Sequence, residues 1–98
     1  MGEINWTEEA QTWLRDIHAY IAIDNRDAAD RTVLGIFRKA QLLKNHPAIG
    51  HKYESSGKRE IRILLYGHYR IAYLVNPDNN IDILGVFHGA LNVERYLL

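Results

Sequence analysis

The stretch "EIRILLYGHYRIAYLV", residues 60–75, decides the fold of this chain. Apolar side chains recur in it at every second position on both sides of Gly67, which is the period of a β-strand. A glycine between two such runs is typical of the turn of a β-hairpin. The stretch therefore predicts two antiparallel strands, and a third strand at residues 81–87 follows the turn sequence "NPDNN".

Two amphipathic helices precede this hairpin. Thr7 and Asn25 are expected helix N-caps, with Glu8 and Glu9 in the first turn of the first helix and Asp27 in that of the second. Pro47 disfavours helix at the residue before it and so limits the second helix. The short connector "DNRD", residues 24–27, predicts that the two helices form an antiparallel hairpin. The apolar stripes are Ala10, Trp13, Leu14, Ile17, Tyr20 and Ile21 in the first helix, and Ala29, Val33, Ile36, Phe37, Ala40 and Leu43 in the second.

These elements predict an α+β fold in which a helical hairpin packs on an antiparallel sheet. "EINW", residues 3–6, adds a short first strand, so the order is β-αα-βββ, and residues 46–57 are predicted as loop. The chain, residues 1–98, is predicted to be a single domain, because half of it would be too small for a core. The predicted core residues are Trp13, Ile17, Ile21, Ile36, Phe37, Ile63, Ile71, Tyr73 and Ile83.

The length of the hairpin loop decides which side chains share a face of the sheet. A three-residue loop, 66–68, places Arg62 and Arg70 on one face, whereas a two-residue loop separates them. The apolar pattern favours the longer loop, with Ile61, Ile63, Leu65 and Phe87 facing the helices. Arg62, Arg70 and His88 are then predicted on the opposite face, around an apolar patch of Leu64, Leu74, Leu84 and Val86.

Composition excludes several classes of protein. The chain has no cysteine, which rules out disulfides, a thiolate nucleophile and a cysteine-based zinc site. No run of apolar residues is long enough to span a membrane, and the first residues do not resemble a signal peptide, so a cytoplasmic protein is expected. Twelve basic and twelve acidic residues cancel, which argues against sequence-specific nucleic-acid binding. The spacing of His18, His46, His51 and His68 does not indicate a metal site, and no cofactor is expected.

Positive charge is nevertheless concentrated in residues 51–70. The segment is either a solvated sheet edge or a binding surface. Its five basic residues, Lys52, Lys58, Arg59, Arg62 and Arg70, outnumber its two acidic residues, Glu54 and Glu60.

Three side chains at strand positions each allow a structural and a functional interpretation. Arg62 and Arg70 either pair with carboxylates across the sheet or bind a phosphate or carboxylate of a partner. His88 either ends its strand as a backbone-bonded imidazole, with Gly89 allowing the chain to turn away, or acts in proton transfer.

The chain resembles the ParE/RelE superfamily, the toxins of bacterial type II toxin–antitoxin systems. The resemblance lies in the order and spacing of short segments along nearly the whole chain. These are "WTEEA" at 6–10, Tyr20-Ile21, Asn25 with Ala28-Ala29, "HPAIG" at 46–50, "YRIAY" at 69–73 and "GVFHG" at 85–89.

The resemblance implies one of two activities, or none. ParE-like members poison DNA gyrase, whereas RelE-like members cleave messenger RNA on the ribosome, and an inactive antitoxin-binding member is a third alternative. RelE-like nucleases carry a pair of lysines on one strand. This chain lacks that pair, with Glu60 and Ile61 in the corresponding neighbourhood, and its net charge is zero, so the ParE branch is favoured. If the chain is a nuclease, the resemblance implies that the catalytic residues are Arg62, Arg70, His88 and Tyr96.

The resemblance also implies a cognate antitoxin as partner and gyrase or the ribosome as target. The residues predicted to contact them are Lys58, Arg59, Arg62, Arg70 and His88.

Overall fold

The computed structural model describes residues 2–53 and 59–89 of the chain. The order β-αα-βββ is confirmed, with a short 3-10 helix at Leu42–Lys44 and one additional strand of two residues. The elements are β1 (Ile4–Trp6), α1 (Glu8–Ala22), α2 (Arg26–Gln41), β2 (His51–Lys52), β3 (Glu60–Tyr66), β4 (Tyr69–Val75) and β5 (Ile81–His88). The strand β2 lies inside the segment that was predicted to be entirely loop.

Both predicted helix caps are confirmed. The Thr7 side chain accepts a hydrogen bond from the Ala10 amide at 3.1 Å, and its hydroxyl donates to the Ile83 carbonyl at 2.7 Å. The Asn25 side chain accepts from the Ala28 amide at 3.0 Å. Thr7 thus starts α1 and ties that start to β5, which fixes the helical hairpin on the sheet.

The sheet has the strand order β1-β5-β4-β3-β2. Strands β3 to β5 pair antiparallel as predicted, and the additional strand β2 pairs antiparallel with β3. Strand β1 pairs parallel to β5, so the sheet is mixed. The helical hairpin and three strands separate β1 from β5 in sequence, and this long connection allows the parallel pairing. In the described part of the chain, neither helix combines the length and apolar character that crossing a membrane requires.

The loop between β3 and β4 is shorter than predicted. Tyr66 pairs with Tyr69, so Gly67 and His68 alone form the turn. Gly67 has a positive φ of 57° and His68 does not, which is the combination that a type II′ turn uses. The prediction of a three-residue loop is therefore wrong, because Gly67 supplies the backbone conformation that a tight turn needs.

A β-bulge changes the orientation of side chains along β5. Ala72 pairs with Gly85 and Tyr73 pairs with Ile83, which leaves Leu84 as an extra residue. Beyond this bulge the alternation is reversed, so that Phe87 lies on the face away from the helices.

Of the predicted core, Ile36, Ile71, Tyr73 and Ile83 are buried between the helices and the sheet. Ile63 is buried on the opposite face of the sheet, and Phe37 is not part of the core. Phe37 is 42% exposed and stacks on Trp6 with ring centroids 5.9 Å apart. Trp13, Ile17 and Ile21 are partly buried. The helix-side cluster contains Ala10, Ile36, Ala40, Leu43, Leu64, Ile71, Tyr73, Ile81, Ile83 and Val86.

The other face of the sheet is not the exposed apolar patch that was predicted. Its middle is a second buried cluster, Ile61, Ile63, Ala72 and Phe87, between 0% and 4% exposed. Trp13 contacts this cluster through an edge-on approach to Phe87 at 4.7 Å between ring centroids, and Tyr53 also packs on it. Leu65, which was predicted to face the helices, is 54% exposed at the end of this face.

Candidate functional site

The two candidate arginines lie on opposite faces of the sheet. Arg62 pairs with Tyr73 in the row that faces the helices, whereas Arg70 pairs with Leu65 and Phe87 on the other face. The prediction that Arg62, Arg70 and His88 share the face away from the helices is wrong. The two-residue turn separates Arg62 from Arg70, and the bulge at Leu84 turns His88 toward the helix side.

Arg62 is engaged by its neighbours, and its side chain is 20% exposed. Its Nε donates to Glu60 Oε2 at 2.8 Å, and its Nη1 donates to the Gly50 carbonyl at 2.7 Å and to the Ala48 carbonyl at 3.3 Å. The guanidinium therefore holds the loop that precedes β2.

Tyr73 holds the same loop from within the core. Its hydroxyl donates to the Pro47 carbonyl at 2.8 Å and accepts from the Gly50 amide at 2.9 Å. Burial raises the pKa of the Tyr73 hydroxyl, against the opposing effects of the Gly50 hydrogen bond and the Arg62 charge. Arg62, Glu60, Tyr73 and the carbonyl groups of 47–50 form what we call the Arg62 network. This network gives the "HPAIG" segment a structural explanation.

Arg70 has a different environment. It is half-buried, and within residues 2–53 and 59–89 it makes no hydrogen bond or ion pair. It lines an open cavity of about 310 Å³ at the turn end of the sheet. We call this cavity the Arg70 pocket; its lining is Leu65, Gly67, His68, Tyr69, Arg70, His88 and Gly89.

Two imidazoles converge at the Arg70 pocket. The ring centroids of His68 and His88 are 6.2 Å apart, and the His88 ring meets Tyr69 edge-on at 5.7 Å. The Gly89 amide donates to the His68 carbonyl at 2.7 Å, which fixes the turn beside the end of β5. The Arg70 pocket thus combines the Arg70 guanidinium, from the face away from the helices, with two imidazoles at the turn end of the sheet.

A second cavity continues from the Arg70 pocket along the face away from the helices. It measures about 280 Å³ and shares Leu65 and Arg70 with the first. His51, Tyr53 and Ile63 complete its lining, and among the described residues neither cavity is lined by a carboxylate. The combined surface suits a partner that carries both negative charge and apolar groups.

On the helix side, an apolar groove runs between α1 and strands β4 and β5. Tyr20, on its rim, is 78% exposed. We call this cavity of about 420 Å³ the α1 groove; it is lined by Trp13, Asp16, Ile17, Tyr20, Ile21, Tyr69, Val86 and His88. His88 borders both the α1 groove and the Arg70 pocket, so the two are continuous.

The sheet also offers backbone edges near these cavities. Strand β1 covers β5 over residues 81–83, and β2 covers β3 over residues 62–63. Within the described residues, no strand pairs with the outer edges of 86–88 and 64–66. Such edges can accept an additional strand from a binding partner.

The structure brings some of the predicted site residues together and separates others. Arg70 and His88 meet in the Arg70 pocket, whereas Arg62 lies three positions away along the hairpin, about 10 Å, on the other face. Arg59 lines a cavity of about 530 Å³ at the opposite end of the sheet.

Lys58 and Tyr96 lie outside the described residues. In the described part of the chain, no three histidine or acidic side chains converge as metal ligands would.

Two residues of this surface, His51 and His68, were not among the site residues predicted from the sequence. The signal for His68 was its place between Gly67 and "YR", since a two-residue turn brings it beside the end of the next strand. The pairing of His51 with Ile63 depends on β2, which is too short to show a period.

The fold and these surfaces together define a small α+β protein with a cationic pocket and an adjoining apolar groove. Residues 4–92 match the family described as "ParE toxin of type II toxin-antitoxin system, parDE". The chain belongs to this family of toxins.

One relative agrees with that assignment, and one solved structure shares the fold. The proposed toxin Y4kP of Sinorhizobium fredii (strain NBRC 101917 / NGR234) is 36% identical over 85 residues, which cover 87% of this chain and 85% of the relative. The solved structure of a chromosomal ParDE TA system from P. aeruginosa has the same fold, with a TM-score of 0.73 at 21% identity, over 90% of this chain and 96% of the other.

Proposed function

We propose that this ParE-type toxin acts by binding a protein target, DNA gyrase by resemblance, and that a cognate antitoxin neutralises it by covering the same surface. The observation that carries the proposal is the composition of that surface. Arg70, Leu65 and His88 combine a cation, an exposed apolar side chain and an imidazole, as in a protein-binding surface.

The positions of the residues implied for a nuclease also support binding over catalysis. Arg62, one of those residues, donates its hydrogen bonds to Glu60 and to loop carbonyls. It lies on the opposite face from Arg70, so the two guanidinium groups are not placed to act on one phosphate.

The α1 groove and the adjacent sheet edges are the proposed binding site of the antitoxin. The groove is mostly apolar and continuous with the Arg70 pocket. An amphipathic helix fits such a groove, and an extended segment fits the edge at 86–88. An antitoxin segment that occupies both would block access of the target to His88.

Two assays with purified protein, run side by side, test the target. We expect inhibition of gyrase supercoiling, weakened by Arg70→Ala and unchanged by Arg31→Ala, an exposed arginine on α2 that serves as matched control. Cleavage of ribosome-bound message that Arg70→Ala abolishes would instead show a nuclease. Binding of the product of an adjacent gene, weakened by Tyr20→Ser on the exposed rim of the α1 groove, tests the antitoxin site.

A further inference from the structure

We propose that the outward face of α2 is an interface through which two copies of this chain associate about a two-fold axis, with their α2 helices antiparallel. We call it the α2 face; its exposed members are Asp27, Asp30, Leu34, Phe37 and Arg38, and Lys44 lies just beyond the end of the helix. The interface is separate from the proposed binding of target and antitoxin, because among the described residues none on α2 lines the Arg70 pocket or the α1 groove.

The α2 face follows from the period of the helix. Ala29, Ile36 and Ala40 are 0% exposed and form the buried side of α2. At about 3.6 residues per turn, positions 27, 30, 34, 37 and 38 lie on the other side, and the side chains at all five are exposed. The alternating spacing of three and four residues along 27, 30, 34 and 37 is that of the contact line between two packed helices. The outward side of α2 thus has the pattern of a helix–helix interface.

Apolar side chains occupy the middle of the α2 face. Leu34 is 47% exposed and Phe37 is 42% exposed. The Phe37 ring stacks on Trp6 with ring centroids 5.9 Å apart, so its position is already fixed and little side-chain entropy is lost on binding. Leu42, 43% exposed, extends the apolar surface past the end of the helix. A second copy packed on this face removes these side chains from water.

The charges of the chain are segregated in a way that makes the α2 face complementary to itself. Residues 1–30 contain seven acidic and two basic residues, whereas residues 31–53 contain five basic residues and no acidic residue. The boundary between the two segments falls within α2. Asp27 and Asp30 therefore precede the apolar middle of the face, and Arg38 and Lys44 follow it.

This polarity selects both the partner and its orientation. When two α2 faces meet antiparallel, Asp27 and Asp30 of each copy lie beside Arg38 and Lys44 of the other, and Leu34 and Phe37 of both copies lie near the axis. A parallel arrangement places like charges together and is disfavoured. The same patch contacts itself, as in a closed two-fold dimer.

A second copy fits the α2 face better than a nucleic acid. Arg38 and Lys44 attract phosphate groups, but Asp27 and Asp30 on the same face repel them, and Leu34 separates the two halves. The second copy satisfies the acidic half, the basic half and the apolar middle at once.

The predicted dimer is weak and leaves the other surfaces accessible. The helix α2 has 16 residues, so the line of contact is about 24 Å long, which corresponds to a small interface and a reversible association. The Arg70 pocket and the α1 groove stay open in both copies, so the dimer presents each of them twice.

Sedimentation velocity of the full chain at increasing concentration tests the proposal. We expect a reversible equilibrium between monomer and dimer that is detectable below about 1 mM. Leu34→Ser should weaken the association about tenfold or more, because both copies lose a central apolar contact. Asp30→Lys and Arg38→Glu should each weaken it about 5- to 50-fold, because the two-fold axis makes each substitution act twice.

An equimolar mixture of the two charge variants gives the most specific result. In a mixed dimer, Asp30→Lys of one copy lies beside Arg38→Glu of the other, and the second contact has its original charges. The mixture should therefore associate within about threefold of the unsubstituted chain, although neither variant does so alone.

Two controls separate the interface from general effects of charge and from the neighbouring helix. Lys52→Glu makes the same change of charge as Arg38→Glu in the same basic segment, but on β2. His18→Gln removes the contact of 2.7 Å between His18 and Asp30 while keeping the carboxylate. Both variants should associate as the unsubstituted chain does. All the side chains substituted on α2 are exposed, so thermal unfolding should show each variant folded.

Three results would overturn the proposal: a monomer at every concentration up to about 1 mM, association that Leu34→Ser and Arg38→Glu leave unchanged, or a mixture that associates no better than its two components. Binding of duplex DNA by a chain that stays monomeric, abolished by Arg38→Glu, would show instead that the basic half of the face serves a nucleic acid. Gyrase inhibition by a strictly monomeric chain defeats this inference and leaves the proposed function intact. Association without inhibition of gyrase does the reverse.

Discussion

Arg62 and Arg70 occupy the two strands of one hairpin, yet their environments have little in common. Arg62 donates three hydrogen bonds, to Glu60, Gly50 and Ala48, and holds a loop in place. Arg70 lines a cavity with two histidines, and no described residue bonds to it. The same residue type is thus part of the fold at one position and available to a partner at the other.

The difference shows that residue type does not by itself mark a functional arginine. A guanidinium whose donors are used by its own chain contributes to stability, and its loss leaves acceptors unpaired. A guanidinium at a cavity mouth contributes to recognition, and its loss leaves the fold nearly unchanged. The comparison therefore predicts opposite effects of equivalent substitutions.

The largest expected effect on stability is that of Arg62→Ala. The substitution removes three hydrogen bonds, one of them to a carboxylate, and we expect the free energy of unfolding to fall by about 2–3 kcal/mol. In a chain of this size each kcal/mol lowers the melting temperature by about 4–8 °C. Urea and thermal denaturation measure the change. Arg62→Lys, which keeps the charge but not the planar donor set, should give an intermediate value, and a loss below about 0.5 kcal/mol would refute the structural role.

The second effect is that of Tyr73→Phe, which removes one hydroxyl from the Arg62 network. The Gly50 amide and the Pro47 carbonyl each lose a partner at a site where Tyr73 is 0% exposed. A buried donor left unpaired costs about 1–3 kcal/mol, so we expect a loss in the lower half of that range. A double variant with Arg62→Ala should lose less than the two single variants together, because both act on one loop.

The same hydroxyl predicts an alkaline effect. Burial raises the pKa of Tyr73 above its ordinary value of 10.0, so folding disfavours the phenolate. The resulting stability is fully present below pH about 10 and is lost as the pH rises through the raised pKa of the folded state. Chemical denaturation between pH about 9 and about 11 should therefore show a steeper loss for the unsubstituted protein than for Tyr73→Phe. Equal slopes would contradict the prediction.

The conformation of the Gly67-His68 turn, which places the two arginines on opposite faces of the sheet, can be tested directly. Gly67 has a φ of 57°, and a Cβ there would meet no atom within 4 Å, so any cost of Gly67→Ala comes from the backbone. We expect a loss of about 1 kcal/mol. Gly67→Asn should cost less, because asparagine tolerates positive φ. If alanine is as stable as glycine, the turn does not have the conformation described.

These residues also show what the sequence could and could not predict. The helices were predictable because their caps, Thr7 and Asn25, and their apolar stripes are local signals. The strands were predictable from their period, but the face that each side chain takes was not. Both faces of β3 and β4 are apolar, so alternation cannot choose between them, and Gly67 within "YGH" is compatible with two loop lengths.

The bulge in β5 made a second prediction wrong, the one that placed Phe87 on the helix side of the sheet. The run from Ile81 to Phe87 is apolar throughout, so the sequence does not mark Leu84 as the extra residue. The sequence therefore predicted only part of the candidate site. Arg70 and His88 were identified by residue type, whereas the exclusion of Arg62 and the inclusion of His68 required the register.

The smallest expected effect on stability is that of Arg70→Ala, and it sharpens the comparison most. Arg70 bonds to no described residue, so we expect the free energy of unfolding to change by no more than about 0.5 kcal/mol. Binding of the antitoxin or target should nevertheless weaken by about 1.5–3 kcal/mol, roughly 10- to 150-fold, if the guanidinium pairs with a carboxylate. Calorimetric titration with the purified partner and urea denaturation of the same samples measure both quantities. Arg31→Ala should change neither, because Arg31 is exposed on α2 away from the pocket. If Arg70→Ala destabilises the fold as strongly as Arg62→Ala, or leaves partner binding intact, then the two arginines do not differ in role as their surroundings indicate.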